Sequence, residues 1–153
     1  GRAGPVVAVD YAHTPDALIR TCATARALAG EGRVIVVFGA GGESDAGKRG
    51  PMGEAVGAAA DLAVVTTDNP RNEDPGAIAA MLVAGLARGG RALVRLEADR
   101  ARAIALALAL ARPEDVVVIA GKGHETGQTI GEQTLPFSDR EAVRELLAGR
   151  GTA

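Results

Sequence analysis

The sequence is poor in cysteine, in aromatic residues and in long apolar runs. Its 153 residues include one cysteine, Cys22, no tryptophan, one tyrosine and two phenylalanines. A single cysteine excludes an internal disulfide framework and a zinc site built from cysteines. With so few rings and a formal net charge of −2, a general nucleic-acid-binding surface is not expected, because such surfaces combine basic residues with rings on which bases stack.

The sequence also lacks the features of a membrane span and of a secretion signal. No stretch of about 20 residues is free of charged or polar groups. The first segment, Gly1–Asp10, has no basic part followed by a long apolar part. We therefore expect no membrane partner and a location in the reducing cytoplasm.

Short β-branched runs alternate along the chain with stretches rich in alanine and leucine. Continuously apolar strands separated by helices are typical of a parallel sheet that helices cover on both faces. At about 100–200 residues per domain, residues 1–153 form a single domain. The predicted fold is a doubly wound α/β domain with a mostly parallel sheet of about six strands. The predicted strands are Val6–Asp10, Arg33–Phe38, Leu62–Thr67, Ala92–Leu96, Asp115–Ala120 and, as a small strand or hairpin, Gln128–Pro136.

Prolines and capping residues mark the expected helix starts. The Thr-Pro pair at 14–15 and the Asp-Pro pair at 74–75 each combine an N-cap residue with a proline at the first helical position. Pro51 is expected to open another helix, and the segment 138–141 fits a capping box. The alanine- and leucine-rich segment 100–112 is predicted to be helical from its length and propensity.

Polar side chains concentrate in the loops that follow the predicted strands. Both histidines of the chain lie in such loops, whereas the loops at the opposite edge are ordinary helix ends. Ligands of open parallel sheets bind beyond the carboxyl ends of the strands. This asymmetry predicts a binding site formed by the loops 10–13, 39–49, 68–73 and 121–125.

The glycine-rich loop 39–49 resembles two phosphate-binding motifs without matching either. Arg49 stands where G-x-x-x-x-G-K-[ST] needs a hydroxyl residue for Mg²⁺, and Ser44 stands at the third glycine of G-x-G-x-x-G. Because Pro51 is expected to delay the next helix, we do not predict a phosphate-cradling turn. Lys48 and Arg49 are candidates for binding an anion, and the alternative is a flexible, turn-rich loop.

Two further loops carry charges that suit an amino acid. Arg71 could hold a carboxylate through a bidentate pair; alternatively, the segment 68–71 is a β-turn with a solvated arginine. Gly121 and Gly123 allow a ligand to approach the backbone, and Glu125 could accept hydrogen bonds from an ammonium group. With the cations of the 39–49 loop, these residues predict a site for an amino acid beside a phosphate.

The loop after the first strand adds two candidates on another side of the site. Asp10 could orient a ribose, and His13 could bind phosphate or stack on a base, although a lone histidine is as compatible with a structural role. The sequence contains no nucleophile arrangement of the Ser/His/Asp or Cys/His kind and no carboxylates at metal-ligand spacing. We therefore predict neither catalytic residues nor a metal site in this chain.

These clusters, in this order, resemble the C-terminal domain of the Mur ligases, which are ATP-dependent amide-forming enzymes. The match spans nearly the whole chain, and DNPR together with GKGHE at this separation is its most specific part. The matching segments are VDYAHTPDAL (9–18), VFGAGG (37–42), DAGKR (45–49), MGEA (52–55), TTDNPRNEDP (66–75), AGKGHETGQ (120–128) and FSDRE (137–141).

The resemblance implies a Rossmann-like domain that is the third of a three-domain ligase. The upstream UDP-binding domain and the central ATPase domain, which would hold most of the ATP and the Mg²⁺, are absent from this chain. The family member that it resembles most adds a diamino acid to UDP-N-acetylmuramoyl-L-alanyl-D-glutamate through an acyl phosphate, in peptidoglycan synthesis. The domain by itself is expected to be inactive.

The same resemblance assigns site residues and raises a question of specificity. Enzymes of this kind that add meso-diaminopimelate typically carry an arginine where this chain has Ser44, whereas relatives that add lysine usually lack the arginine at position 71. Meso-diaminopimelate is therefore the favoured substrate, L-ornithine or L-lysine is the alternative, and a stand-alone nucleotide-binding module is a further alternative. The residues that match diamino-acid positions are Asp68, Asn69, Arg71, Gly121, Glu125 and, as a further contact, Ser44; those that match nucleotide-side positions are Asp10 and His13.

Overall fold

Five parallel strands form the central sheet of the computed structural model, which describes residues 4–151. The strands are β1 (Val6–Asp10), β2 (Val34–Phe38), β3 (Leu62–Val65), β4 (Leu93–Leu96) and β5 (Val116–Ala120). Their spatial order is β1-β5-β2-β3-β4. This arrangement confirms the predicted doubly wound α/β fold.

The sixth predicted segment does not join the central sheet. It folds into an antiparallel hairpin of its own, formed by β6 (Gly127–Ile130) and β7 (Gln133–Pro136). Its turn contains Gly131 at a φ of 62°, a conformation that glycine adopts without steric cost. The central sheet therefore has five strands rather than about six, and the hairpin is free to contact the loops at its edge.

The helices begin largely where the capping residues predict. The Thr14 hydroxyl accepts a hydrogen bond from the Ala17 amide (3.2 Å), and the Asp74 carboxylate accepts one from the Gly76 amide (3.0 Å). The Ser138 hydroxyl likewise accepts one from the Glu141 amide (3.2 Å). The helices are α1 (Pro15–Ala29), α2 (Arg49–Ala59), α3 (Pro75–Gly89), α4 (Arg100–Leu110) and α5 (Asp139–Gly151).

The start of α2 differs from the prediction. A 3-10 turn, Ala46–Lys48, leads directly into the helix at Arg49, so Pro51 lies inside the first turn and does not open it. Proline is tolerated there because the first amides of a helix have no carbonyl partner within it. The Asp45 carboxylate caps the 3-10 turn by accepting a hydrogen bond from the Gly47 amide (2.9 Å).

Helices cover both faces of the sheet and divide the apolar core into two clusters. Alternate residues of β2 face opposite sides: Val34 and Val36 pack with α1, α2 and α3, whereas Ile35 and Val37 pack with α4 and α5. All residues of β2 and β5 are buried. Among residues 4–151, no helix is both long enough and apolar enough to cross a bilayer.

Glycines explain how α2 and α3 approach each other so closely. A Cβ placed on Gly53 would lie 2.2 Å from the Leu82 carbonyl oxygen, and one on Gly85 would lie 2.1 Å from the Gly50 carbonyl oxygen. Only residues without a side chain fit at this contact. The high glycine content thus reflects tight packing as well as turns.

Candidate amino-acid-binding site

A recess of about 340 Å³ opens at the carboxyl edge of the sheet. Arg71 and Glu125, whose convergence the sequence predicts, both line it. Asp10 is the predicted residue that does not. The other predicted residues that line the recess are His13, Ser44, Lys48, Arg49, Asp68, Asn69 and Gly121.

The backbone of Arg71 is held in an unusual conformation by the β6–β7 hairpin. Its φ is 53°, in the left-handed region that non-glycine residues rarely adopt. The Arg71 amide donates a hydrogen bond to the Thr129 carbonyl (3.1 Å), and the Arg71 carbonyl accepts one from the Gly131 amide (2.6 Å). Strain of this kind persists only where the surroundings enforce it. The hairpin therefore fixes the backbone position from which the Arg71 side chain extends.

The Arg71 guanidinium is then anchored on the neighbouring loop. Its Nη1 donates a hydrogen bond to the Gly42 carbonyl (2.6 Å). The Gly42 amide in turn donates to the Asn69 carbonyl (2.7 Å). One face of the guanidinium is thereby committed to the protein, and its remaining N–H groups are the ones that can meet a ligand carboxylate.

Asn69 links three segments of the site through a single side-chain oxygen. Its Oδ1 accepts a hydrogen bond from the Lys122 ammonium (2.8 Å) and another from the Thr129 amide (2.9 Å). Gln128 supports the same loop, because its Nε2 donates to the Thr67 carbonyl (3.2 Å) and to the Asp68 carbonyl (2.9 Å). The 68–71 loop is therefore fixed mainly by the hairpin.

Lys122 is a cation of the 121–125 loop to which the sequence analysis assigns no role. Its side chain is fully buried, and its Nζ lies 3.6 Å from Glu125 Oε1 and 3.8 Å from Asp68 Oδ1. The flanking Gly121 and Gly123 have positive φ angles of 112° and 55°, which turn the lysine inward. Two glycines around a lysine are the signal that could have suggested a buried amine.

The 39–49 loop does not form a phosphate cradle. The Gly42 amide is used by Asn69, and the Glu43 amide donates to Glu73 Oε1 (2.6 Å). The amides of Gly47 and Lys48 both donate to Asp45. Since these N–H groups are satisfied within the protein, they are not presented to a phosphate, as the broken motif predicts.

Arg49, an anion-binding candidate that lines the recess, is paired within the protein. Its guanidinium is 2% exposed and pairs with both Glu73 carboxylate oxygens (2.9 and 3.0 Å) as well as the Gly41 carbonyl (2.9 Å). Hydrogen bonds from Arg49 and from the Glu43 amide lower the pKa of Glu73. Lys48, exposed at the rim, is the cation of this loop that can meet an anion.

Ser44 sits in the recess without offering a charge. Its hydroxyl donates a hydrogen bond to the Gly41 carbonyl (3.0 Å). The position that carries arginine in the diaminopimelate-adding pattern is therefore occupied here by a short side chain turned onto its own loop.

Asp10 and His13 lie near the start of α1, where His13 lines the recess and Asp10 does not. The Asp10 carboxylate accepts hydrogen bonds from the Thr21 hydroxyl (2.7 Å) and from the Ala12 amide (3.4 Å), and it borders a smaller pocket with His13. The Tyr11 ring, half exposed, lies edge-on to His13 (centroids 4.9 Å apart) and stacks with His124 (6.3 Å). Tyr11 and His13 line both cavities.

The opposite edge of the sheet carries charges that neutralise one another. Burial pushes the pKa of Asp61 up, but hydrogen bonds from the Val34 amide and from Arg26 and Arg91 outweigh it and leave that pKa lowered. Burial also opposes the lowering at Asp115, where hydrogen bonds from the Arg112 amide and from Arg33 prevail. These carboxylates are paired within the protein and stabilise the fold. A ligand is therefore expected at the carboxyl edge of the sheet.

No group of three or more His, Cys, Asp or Glu side chains within residues 4–151 is arranged to hold a metal ion.

The chain is similar to known proteins both in sequence and in structure. A relative from Bradyrhizobium diazoefficiens, a UDP-N-acetylmuramoyl-L-alanyl-D-glutamate--2,6-diaminopimelate ligase, is 50% identical over 97% of this chain and 30% of its own length. A solved structure of a ligase with the same name superposes with a TM-score of 0.87 at 39% identity, covering 95% of this chain and 29% of the other. A folylpolyglutamate synthase from Mycobacterium tuberculosis, solved with ADP and AMPPCP, has a TM-score of 0.52 at 29% identity and covers 78% of this chain and 28% of its own.

The chain spans about three tenths of the length of the curated relatives that it matches. Residues 1–123 match the family described as Mur ligase, glutamate ligase domain. This match covers well over half of the chain, and the relatives match nearly all of it. The chain belongs to the Mur ligase family and carries its glutamate ligase domain.

Proposed function

We propose that this chain is the C-terminal, amino-acid-binding domain of an ATP-dependent ligase that adds a diamino acid to UDP-N-acetylmuramoyl-L-alanyl-D-glutamate. Meso-diaminopimelate is the favoured diamino acid. The observation that carries the proposal is the single recess in which Arg71 and Glu125 meet. The names of the relatives at about 50% identity support it.

The charges of the recess suit a zwitterion. Arg71 and Lys48 offer positive charge to a carboxylate, and Asp68 and Glu125 offer negative charge to an ammonium group. A guanidinium can bind a carboxylate through two parallel hydrogen bonds. The proposed pose places a carboxylate of the diamino acid on Arg71, its far ammonium group near Glu125, and its reacting amine toward the open mouth.

The proposed reaction divides the work between this domain and the rest of the ligase. ATP supplies the phosphoryl group that turns the D-glutamate γ-carboxylate into an acyl phosphate. The neutral amine of the diamino acid then attacks the acyl carbon, an amide bond forms, phosphate leaves and the amine loses a proton. This chain orients the amine and holds its charged groups, a contribution of proximity rather than of acid-base chemistry.

The smaller pocket beside α1 is the proposed nucleotide side of the domain. Asp10 and His13 border it, and the ADP-bound folylpolyglutamate synthase supports a nucleotide near a domain of this fold. The central domain, in the same polypeptide, would supply the remaining contacts to ATP and its Mg²⁺.

Ser44 favours a second candidate substrate. A diamino acid with one carboxylate, L-lysine or L-ornithine, needs no second guanidinium, and the Ser44 hydroxyl is turned onto Gly41. The test is kcat/KM of the full-length ligase for meso-diaminopimelate, L-lysine and L-ornithine. A clear preference for meso-diaminopimelate supports the favoured assignment, whereas a preference for either of the others replaces it.

Two variants test the site itself. Arg71→Ala and Glu125→Gln each remove a charged hydrogen-bond partner of the ligand, so kcat/KM for the diamino acid should fall by about 10- to 100-fold. Arg140→Ala and Glu132→Gln, exposed changes outside the recess, are the controls. Full activity in both site variants would refute the proposed site.

A stand-alone nucleotide-binding module predicts a different result. The isolated chain would then bind Mg²⁺-ATP tightly, and Lys48→Ala would abolish that binding. Under our proposal the isolated chain forms no amide bond and hydrolyses no ATP, and joining it to its upstream domains restores amide formation. Robust ATP hydrolysis by the isolated chain would contradict the proposal.

A further inference from the structure

We propose that Lys122 is a positioning residue that sets the two halves of the recess relative to each other for the incoming diamino acid. The inference rests on the proposed function. It assigns a purpose to a fully buried amine that contacts no reacting atom in the proposed pose.

Two short hydrogen bonds define what Lys122 joins. Its Nζ donates to Asn69 Oδ1 (2.8 Å) in the loop after β3 and to the Gly127 carbonyl (2.9 Å) at the start of the hairpin. The lysine itself belongs to the loop after β5. One ammonium group therefore connects the loop that carries Arg71, the loop that carries Glu125 and the hairpin that fixes the backbone of Arg71.

The charges around Lys122 also affect how the recess can bind a ligand. Asp68 and Glu125 both lie within 4 Å of the ammonium nitrogen. Two carboxylates and one ammonium leave a net charge of −1, which a ligand ammonium would balance. The lysine thus holds two like charges near each other and leaves one of them available to the ligand.

A buried ammonium is costly unless its hydrogen bonds and charges are matched. Here they are matched entirely by site residues and the hairpin. Loss of the amine should let Asn69 and Glu125 move, and a misplacement of about 1 Å can reduce a rate by about 100-fold. The damage should fall on use of the diamino acid, because Asn69 and Glu125, which Lys122 holds, line the recess and do not line the smaller pocket beside Asp10.

The experiment measures steady-state kinetics of the full-length ligase with Lys122→Met, a change that removes the amine and keeps a similar length. We expect KM for the diamino acid to rise by about tenfold or more and KM for ATP to stay within about twofold. Arg33→Met is the matched control, because it removes a cation from an ion pair at the opposite edge of the sheet. It should lower stability without raising KM for the diamino acid.

A double variant tests whether Lys122 acts through Asn69. If it does, Lys122→Met with Asn69→Ala should raise KM by much less than the product of the two single effects. Should Lys122→Met not fold, Lys122→Gln, which keeps a polar head group, is measured in its place.

Two results would overturn the inference. One is an unchanged KM for the diamino acid in a folded Lys122 variant. The other is an equal rise in KM for ATP and for the diamino acid, reproduced by Arg33→Met, since that indicates a general loss of stability. Arg71→Ala in the same assay separates the two proposals: if it weakens use of the diamino acid while the Lys122 variant does not, the inference fails and the proposed function stands.

Discussion

Replacing Asp139 with asparagine should destabilise the domain more than almost any other isosteric change. Asp139 and Arg100 form an ion pair in which both side chains are fully buried. The Asp139 carboxylate accepts hydrogen bonds from Arg100 Nε (2.7 Å) and Nη2 (2.8 Å). The guanidinium also donates hydrogen bonds to the Thr67 carbonyl (3.2 Å) and the Ala120 carbonyl (3.0 Å). Thr67 and Ala120 directly precede the 68–73 and 121–125 loops of the recess.

The expected size of the effect follows from this burial. Removing one partner of a buried pair leaves an uncompensated charge and costs about 3–5 kcal/mol. In a domain of about 150 residues, each kcal/mol lowers Tm by about 2–4 °C, so Asp139→Asn should lower Tm by about 6–20 °C. The measurement is urea and thermal unfolding of the chain followed by circular dichroism.

The double variant Arg100→Met with Asp139→Leu provides the matched comparison. It replaces the pair by apolar side chains of similar size, a change that is often neutral or stabilising, so it should recover most of the stability lost in Asp139→Asn. A loss below about 1 kcal/mol in Asp139→Asn, the range of exposed pairs, would refute the reasoning that this pair is desolvated.

Three further predictions concern other positions. Gly121→Ala should reduce kcat/KM for the diamino acid by about tenfold or more, because the φ of Gly121 is 112° and the new Cβ would lie 2.6 Å from Asp68 Oδ2. The control is Gly30→Ala, at φ 58° and with open space around the new Cβ. Equal losses of activity in the two variants would show that the contact with Asp68 is not the cause. The free energy of unfolding should fall as pH drops through the lowered pKa values of Asp61 and Asp115, because a carboxyl whose pKa is lowered by folding stabilises the fold above its unfolded-state pKa and loses that contribution on protonation. Asp115→Asn should flatten the plot of unfolding free energy against pH, measured by urea titrations between about pH 6 and pH 2. An unchanged slope of that plot would count against the prediction. Burial raises the pKa of Cys22 to about 11, so its thiol should react with a disulfide reagent at neutral pH only after unfolding, and rapid reaction of the native chain would show that α1 opens.

The sequence was sufficient for the five strands of the central sheet and for the edge at which the recess lies. Both follow from local signals: continuous apolar runs predict buried parallel strands, and the polar loops at their carboxyl ends all reach one recess. The N-cap residues Thr14 and Asp74 were equally readable, because a cap and its helix are neighbours in the chain.

The side chains whose surroundings the sequence does not predict have partners that are distant in sequence. Arg49 reads as an exposed cation until the fold brings Glu73 to its guanidinium. Lys122 reads as a loop charge until Asn69 and the Gly127 carbonyl surround it. Neither environment has a local pattern, because each is created by the packing of separate loops and not by the residues beside the charge.

The hairpin was recognised as a strand-like segment but not as a support for the site. Its role depends on register: the pairing of Arg71 with Ile130 is an isolated bridge between a loop and β6. This bridge forms only where the fold has brought the loop and β6 together, so the sequence alone does not predict it.

The outer strand β4 has a consequence for handling the isolated chain. All four of its residues are exposed, and the Leu93 side chain is 74% accessible to solvent. Within residues 4–151, β4 is the edge strand of the sheet and pairs with β3, and the free side of an edge strand can template intermolecular sheet formation. Concentrated samples should therefore self-associate along this border, and a lysine at position 93 would improve solubility while leaving the interior intact.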